Sequence, residues 1–255
     1  MFVKSPYPDV PPHPVSNIHE RCVNRPDAPV ADYTIFVEGD NGRTWSYAAL
    51  KERMVQARTA LGTPQKNGGL GLGQRANEVV GIISTNSVVG CLSDPRCPAD
   101  KRGSQEYVIL IHALLALSIP FVPLSSVATS SELEQLIQKA AVTHLFVHQA
   151  YLDRASQVAK VTCIPEAHIS LLGCSSRTDR RSLNDLIDDT VTAPPLGIRS
   201  VDANTVAYLL FSSGTTGVPK PVAVTHANVC FQIEQGAVVA RVVRAASKGQ
   251  VNRFL

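Results

Sequence analysis

Residues 206–228 read VAYLLFSSGTTGVPKPVAVTHAN. The apolar, partly β-branched run 206–211 predicts a buried strand. It stops at Ser212, Ser213, Gly214, Thr215, Thr216 and Gly217, which are followed by Val218, Pro219 and Lys220. Gly214 and Gly217 can adopt backbone angles closed to other residues, so successive N–H groups can line one concavity suited to an anion. Four hydroxyls add hydrogen-bond donors, and Lys220 adds a full positive charge. The pattern predicts a loop that holds a polyphosphate, with a surface turn between two strands as the plainer alternative.

The common nucleotide loop needs Gly-x-x-x-x-Gly-Lys-Ser/Thr at the start of a helix. In this chain Lys220 lies between Pro219 and Pro221, and residues 221–224 predict a second strand. SSGTTGVPKPV instead resembles the phosphate-loop signature of AMP-forming adenylating enzymes, the superfamily of acyl-CoA synthetases, luciferases and peptide-synthetase adenylation domains. The family's following Ser/Thr-His-x-Asn turn is matched by Thr225, His226 and Asn228, while Pro221 replaces the usual glycine. Proline has no N–H, so the grip just after Lys220 is expected to be weaker.

Outward from this stretch, the composition is that of a globular chain. It has 255 residues, 44% of them hydrophobic, and a formal net charge of +3. A core can form, and the charge gives no case for a nucleic-acid partner. Cys22, Cys91, Cys97, Cys163, Cys174 and Cys230 are scattered without a Cys-x-x-Cys pair. That pattern argues against a zinc site or a disulfide scaffold and for free thiols in a reducing compartment. No signal peptide is expected, because prolines interrupt the start. The apolar run 107–124 contains His112, Pro120 and Pro123, so it predicts a buried helix and strand rather than a membrane span. No protein partner is evident.

Upstream, residues 1–16 are proline-rich and predict an extended arm, followed by a short helix over 17–24. Strands are expected at 33–38 and 43–45 around a turn at 39–42. Ser46 is expected to cap a helix over 47–61 with Leu50, Met54, Ala57 and Leu61 on one face. Gly71-Leu-Gly73-Gln-Arg-Ala76 fits a loose dinucleotide fingerprint, but helix precedes it and strand follows, the reverse of what that site needs. Strands at 79–83, 121–124, 143–147 and 168–172 alternate with helices at 107–117, 132–140 and 151–159. Ser130 or Ser131 is expected to cap the second of these helices, with a Ser-x-x-Glu start at Ser131 and Glu134. This alternation predicts parallel pairing. A short helical turn is expected at 183–186 and a linker at 194–202. His112, His144, His148 and His168 lack partners at ligand spacing and are read as ordinary core or surface residues.

The resemblance extends over much of this layout. Thr44, Trp45 and Leu50 match an early family turn, and residues 122–147 follow the family's strand, helix, strand region. Residues 88–104 interrupt the match. Their removal joins Asn86-Ser87 to Gln105-Glu106-Tyr107, as an unspliced 51-base intron or an inserted surface loop would. Residues 237–255 carry Arg241, Arg244, Lys248 and Arg253 without an acid and leave the family pattern, so they are expected to be an atypical basic tail. A mis-spliced or frame-shifted end and a basic amphipathic helix are the two readings of that tail. The expected fold is α/β: parallel sheets flanked by helices, an incomplete N-terminal domain of an adenylate-forming enzyme spanning 17–236.

What the resemblance implies is activation of a carboxylic acid by ATP with Mg2+, then transfer to coenzyme A. Ser212, Ser213, Gly214, Thr215, Thr216, Gly217 and Lys220 would hold the phosphates. The family's adenine and ribose sites, its magnesium-binding glutamate and its acylation lysine come later than this loop and have no counterpart before Leu255. The chain alone is therefore expected to be inactive. An aryl or medium-chain acid and a cytoplasmic or peroxisomal location are expected. The alternatives are a peptide-synthetase adenylation domain and a non-catalytic remnant or misread gene product.

Overall fold

The structure, a computed structural model, describes residues 8–10, 14–24, 31–37, 42, 44–84, 105–173, 180–212 and 219–246. The expected insertion at 88–104, most of the arm at 1–16, most of the turn at 39–42 and the end of the chain from residue 247 lie outside the described residues.

Helix α1 (Ile18–Val23) begins at Asn17, whose side chain accepts the His19 N–H. Strands β1 (Thr34–Val37) and β2 (Thr44–Ser46) form a two-stranded antiparallel pair. Ser46 caps α2 (Tyr47–Gly62) as expected, and Leu50, Met54, Ala57 and Leu61 are all buried. Next come β3 (Val80–Ile83), α3 (Gln105–Ala116), β4 (Phe121–Leu124), α4 (Ser130–Lys139), β5 (His144–His148), α5 (Leu152–Val161) and β6 (Ile169–Leu172). They are followed by α6 (Leu183–Asp189), β7 (Val206–Ser212), β8 (Lys220–Thr225) and α7 (His226–Ala246). The glycine-rich turn at 71–76 lies between α2 and β3, so it lacks the strand-to-helix setting of a dinucleotide site.

Six strands form one sheet in the order β6-β5-β3-β4-β7-β8. The first five are parallel, and β8 returns antiparallel to β7 along one edge. Successive side chains of a strand point to opposite faces, and the core divides accordingly. Val80, Ile82, Phe121, Phe146 and Leu172 pack on one face with residues of α2, α3 and α6. Ile83, Val122, Leu124, Leu145, Val147, Ile169 and Leu171 pack on the other with α4 and α5. Where both faces are covered, in β3 to β6, the strands read as continuous apolar runs, as buried parallel sheets require.

Gly81 sits within β3, and a Cβ there would lie 2.8 Å from Leu145 Cδ2 and 3.0 Å from Val142 Cγ1. The missing side chain is what lets Leu145 fill that space. The cap of α4 differs from expectation. Thr129, rather than Ser130 or Ser131, accepts the Glu132 N–H, and Glu132 returns a bond to the Thr129 N–H. The pairing is a capping box two residues earlier than Ser131 and Glu134.

Candidate active site

Every parallel strand ends at the same edge of the sheet, at Ile83, Leu124, His148, Leu172 and Ser212. In open α/β sheets ligands bind beyond this carboxyl edge. The stretch 206–228 emerges here. β7 ends at exposed Ser212, and β8 begins at exposed Lys220, paired directly opposite it. Of the expected phosphate contacts, the structure therefore brings Ser212 and Lys220 together. Ser213, Gly214, Thr215, Thr216 and Gly217 lie outside the described residues.

Three groups fix the exit of this hairpin. Lys139, at the end of α4, donates from Nζ to the Pro219 carbonyl at 3.0 Å. Pro221 lies opposite Phe211 on the edge strand, the sheet position that tolerates proline best. Thr225 and Asn228 cap α7 reciprocally: the Asn228 N–H donates to Thr225 Oγ1 at 3.2 Å, and the Thr225 N–H donates to Asn228 Oδ1 at 3.0 Å. His226 between them is fully buried. Its main-chain N–H donates to the Thr205 carbonyl at 3.0 Å and its Nδ1 accepts the Ile18 N–H at 3.0 Å. The Thr-His-x-Asn stretch is thus a helix start whose histidine anchors the strand leaving the loop. α7 continues unbroken to Ala246, across the expected boundary between 236 and 237.

Other polar groups occupy the same edge without having been singled out in the sequence. Arg154 of α5 donates to the Ala128 carbonyl at 2.8 Å and to the Ser126 carbonyl, holding the loop after β4. Its guanidinium lies 5.5 Å from the Tyr151 ring centre. His148, the last residue of β5, accepts the Ala150 N–H on Nδ1 at 3.2 Å, and burial lowers its pKa. Beyond β6, buried Glu106 accepts the Gly173 N–H and the Asn184 side-chain amide, each at 2.5 Å. Burial holds its carboxyl above the usual range, against the pull of those two bonds and of Arg53. Position at a strand end is the signal that points to such groups, and it exists only once the strands are placed.

Four further histidines are paired in ways the sequence spacing hid. His144 and His168 stack with ring centres 4.0 Å apart at the amino end of β5 and β6, away from the loop. His19 and His112 face each other. Among the described residues no three His, Cys, Asp or Glu side chains come together as a metal site. No helix among them is long and apolar enough to cross a membrane.

The profile of the family described as AMP-binding enzyme matches residues 102–250, more than half of the chain and all of the β7–β8 hairpin. The chain belongs to the AMP-binding enzyme family. Among its relatives are 4-coumarate–CoA ligase 3 of Arabidopsis thaliana, 25% identical over 91% of this chain and 36% of that protein. Acyl-CoA ligase AFT1-1 of Alternaria alternata is 26% identical over 80% of this chain and 34% of its own length. The ferrichrome siderophore peptide synthetase of Mycosarcoma maydis is 26% identical over 64% of this chain and 4% of its own length. This AMP-binding chain thus spans about a third of the length of the first two. Its fold is that of adenylate-forming enzymes. ATP-bound MatB from Rhodopseudomonas palustris superposes with a TM-score of 0.59 at 21% identity, over 85% of this chain and 36% of that one. An anthranilate CoA ligase in complex with anthranoyl-AMP gives 0.60 at 21% identity, over 84% and 36%.

Proposed function

We propose that this chain is the phosphate-gripping part of an AMP-forming acid–thiol ligase, with Ser212 and Lys220 as the two ends of the grip. The single observation that carries this reading is the pairing of Ser212 with Lys220 at the carboxyl edge of the sheet, within the stretch matched to the AMP-binding family. Ser213, Thr215 and Thr216 contribute hydroxyls, and Gly214 and Gly217 contribute backbone N–H groups. Together with Lys220 they take the β- and γ-phosphates of ATP.

In the first step a carboxylate oxygen bonds to the α-phosphorus, and the bond from that phosphorus to pyrophosphate breaks. Charge grows on the departing pyrophosphate, and donors fixed around it stabilise the transition state more than the ground state. In the second step the sulfur of coenzyme A bonds to the acyl carbon and AMP leaves. Magnesium, when present, neutralises phosphate charge. Among the described residues no carboxylate cluster gathers to hold it. The names of the two ligase relatives favour an acid of the aryl or acyl type. The likeness to a peptide synthetase favours a second reading with the same first step, in which the accepting thiol belongs to a carrier protein.

Lys220 is exposed on an edge strand, so replacing it leaves the core intact. Titrating the 255-residue chain with ATP and with inorganic tripolyphosphate, monitored by calorimetry, tests the reading. Loss of one charge-assisted contact is expected to weaken both ligands by roughly 10- to 100-fold in Lys220→Ala. Equal affinity of the variant and the parent, or no binding by the parent, overturns it.

A further inference from the structure

Residues 16–21 cross from α3 to α7 and touch α7 once per turn. The Cys230 thiol lies 3.3 Å from the Ser16 carbonyl oxygen, Ile18 N–H donates to His226 Nδ1 at 3.0 Å, and Arg21 pairs with Glu234. His226, Cys230 and Glu234 are spaced by four residues, so they share one face of α7, and all three are buried. On the other side Asn17, 2% exposed, donates from Nδ2 to the Leu115 carbonyl at 2.7 Å and to the Arg199 carbonyl at 3.2 Å. Beside it the His19 and His112 Nδ1 atoms lie 3.2 Å apart.

These contacts depend on which ring nitrogens carry protons, and each needs one unprotonated accepting nitrogen. Two imidazole nitrogens facing each other at that distance share one proton, one ring donating and the other accepting. A second proton between those two nitrogens would set two N–H groups against each other. His226 uses Nδ1 as an acceptor, so its proton is on Nε2, which is buried and finds no partner among the described residues. A proton added at Nδ1 would point at the Ile18 N–H and break that bond.

We propose that residues 16–21 form an acid-released strap, which clamps α3 to α7 while His19, His112 and His226 are neutral and lets go when they take up protons. Burial comes first among the causes that bring His19 and His226 down from 6.5 to about 4, and burial also lowers His112. His112, Arg58 and Lys51 add positive charge around His19. Arg21 of the strap is matched by Glu234, and Glu20 is solvent-exposed. The sign follows from linkage. Imidazoles with a lower pKa docked than free favour docking fully above pH 6.5, and that preference is lost as pH falls from 6.5 toward 4. A ring moved from 6.5 to about 4 shifts the docking equilibrium by up to roughly 300-fold.

Amide hydrogen exchange on the whole chain, together with imidazole NMR titration from pH 7.5 to 4, decides the matter. Amides of α1 are expected to lose protection between pH 6.5 and 4 while those of Leu145, Phe146 and Val147 stay protected, with His19 and His226 titrating in the same step. In His226→Asn the amide oxygen offers Ile18 an acceptor that takes no proton, so release becomes less steep and moves to lower pH. Three results overturn the strap: α1 protected as long as the β5 core, release that ignores the His226→Asn change, or His19 titrating near 6.5 with α1 still protected. If the variant does not fold, the parent's titration alone decides.

Discussion

Glu106 is a carboxylate that the fold keeps out of water and supplies with two donors, Gly173 N–H and the Asn184 amide. Because burial raises its pKa, the folded chain holds that proton more tightly than the unfolded one. The stabilising contribution is therefore full below the unfolded value of 4.5 and is lost as pH rises through the folded value. Glu106→Gln keeps an acceptor oxygen without the charge, so urea denaturation should find the variant's stability flatter with pH above 4.5 than the parent's. Glu106→Ala leaves both donors unsatisfied and should cost about 1–3 kcal/mol at every pH. Equal losses in the two variants would contradict this account. Nothing in the sequence around Glu106 announces it, since its partners lie 67 and 78 residues away. The pairing of Ser212 with Lys220 was legible because glycines and hydroxyls between two strand-like runs predict a turn that brings its ends together. Thr225, His226 and Asn228 were legible as a motif, but their work as a helix cap and a buried acceptor became visible only in the packing.

The helices obey local rules at their starts and depart from them at their ends. Ser46, Thr129 and Ser182 each accept a main-chain N–H at a helix start. The chain leaves α3, α4 and α5 through Ser118, Ala141 and Cys163, all with positive φ near +50 to +60, where glycine is the usual residue. Conversely Gly236 lies inside α7 with nothing within 4 Å of where a Cβ would stand. Backbone preference predicts that Ala141→Gly and Gly236→Ala each raise stability by about 0.5–1 kcal/mol, because each gives the backbone the residue its conformation favours. Thermal or urea unfolding checks both, and a fall in either midpoint would mean that side-chain contacts outweigh the backbone term. Element positions were read well from apolar periodicity, from α2 through β6. The cap of α4 was placed one or two residues too late because Thr129, Ser130 and Ser131 are chemically equivalent cappers until the helix axis is fixed.

Across the whole molecule, helices cover both faces of the sheet at β3 to β6, while the edge at β8 is open. β8 forms an edge of the sheet, and Leu210 and Val222 stand opposite each other there, 46% and 47% exposed. An apolar pair on an open edge favours association between chains. Val222→Lys is expected to reduce concentration-dependent association in sedimentation velocity and to move the melting midpoint little. Unchanged association would place the sticky surface elsewhere. The stretch 206–228 on its own dictated the strand and the returning strand, because an apolar run broken by glycine, hydroxyl and proline residues acts through local backbone chemistry. The alternation of strands and helices likewise dictated a parallel α/β sheet. The order β6-β5-β3-β4-β7-β8, the pairing of His19 with His112, the burial of Glu106 and the clamp of α1 on α7 were decided by tertiary structure. Each joins residues far apart in the chain, and which distant surfaces meet depends on how whole faces pack, a property that no local window of sequence contains.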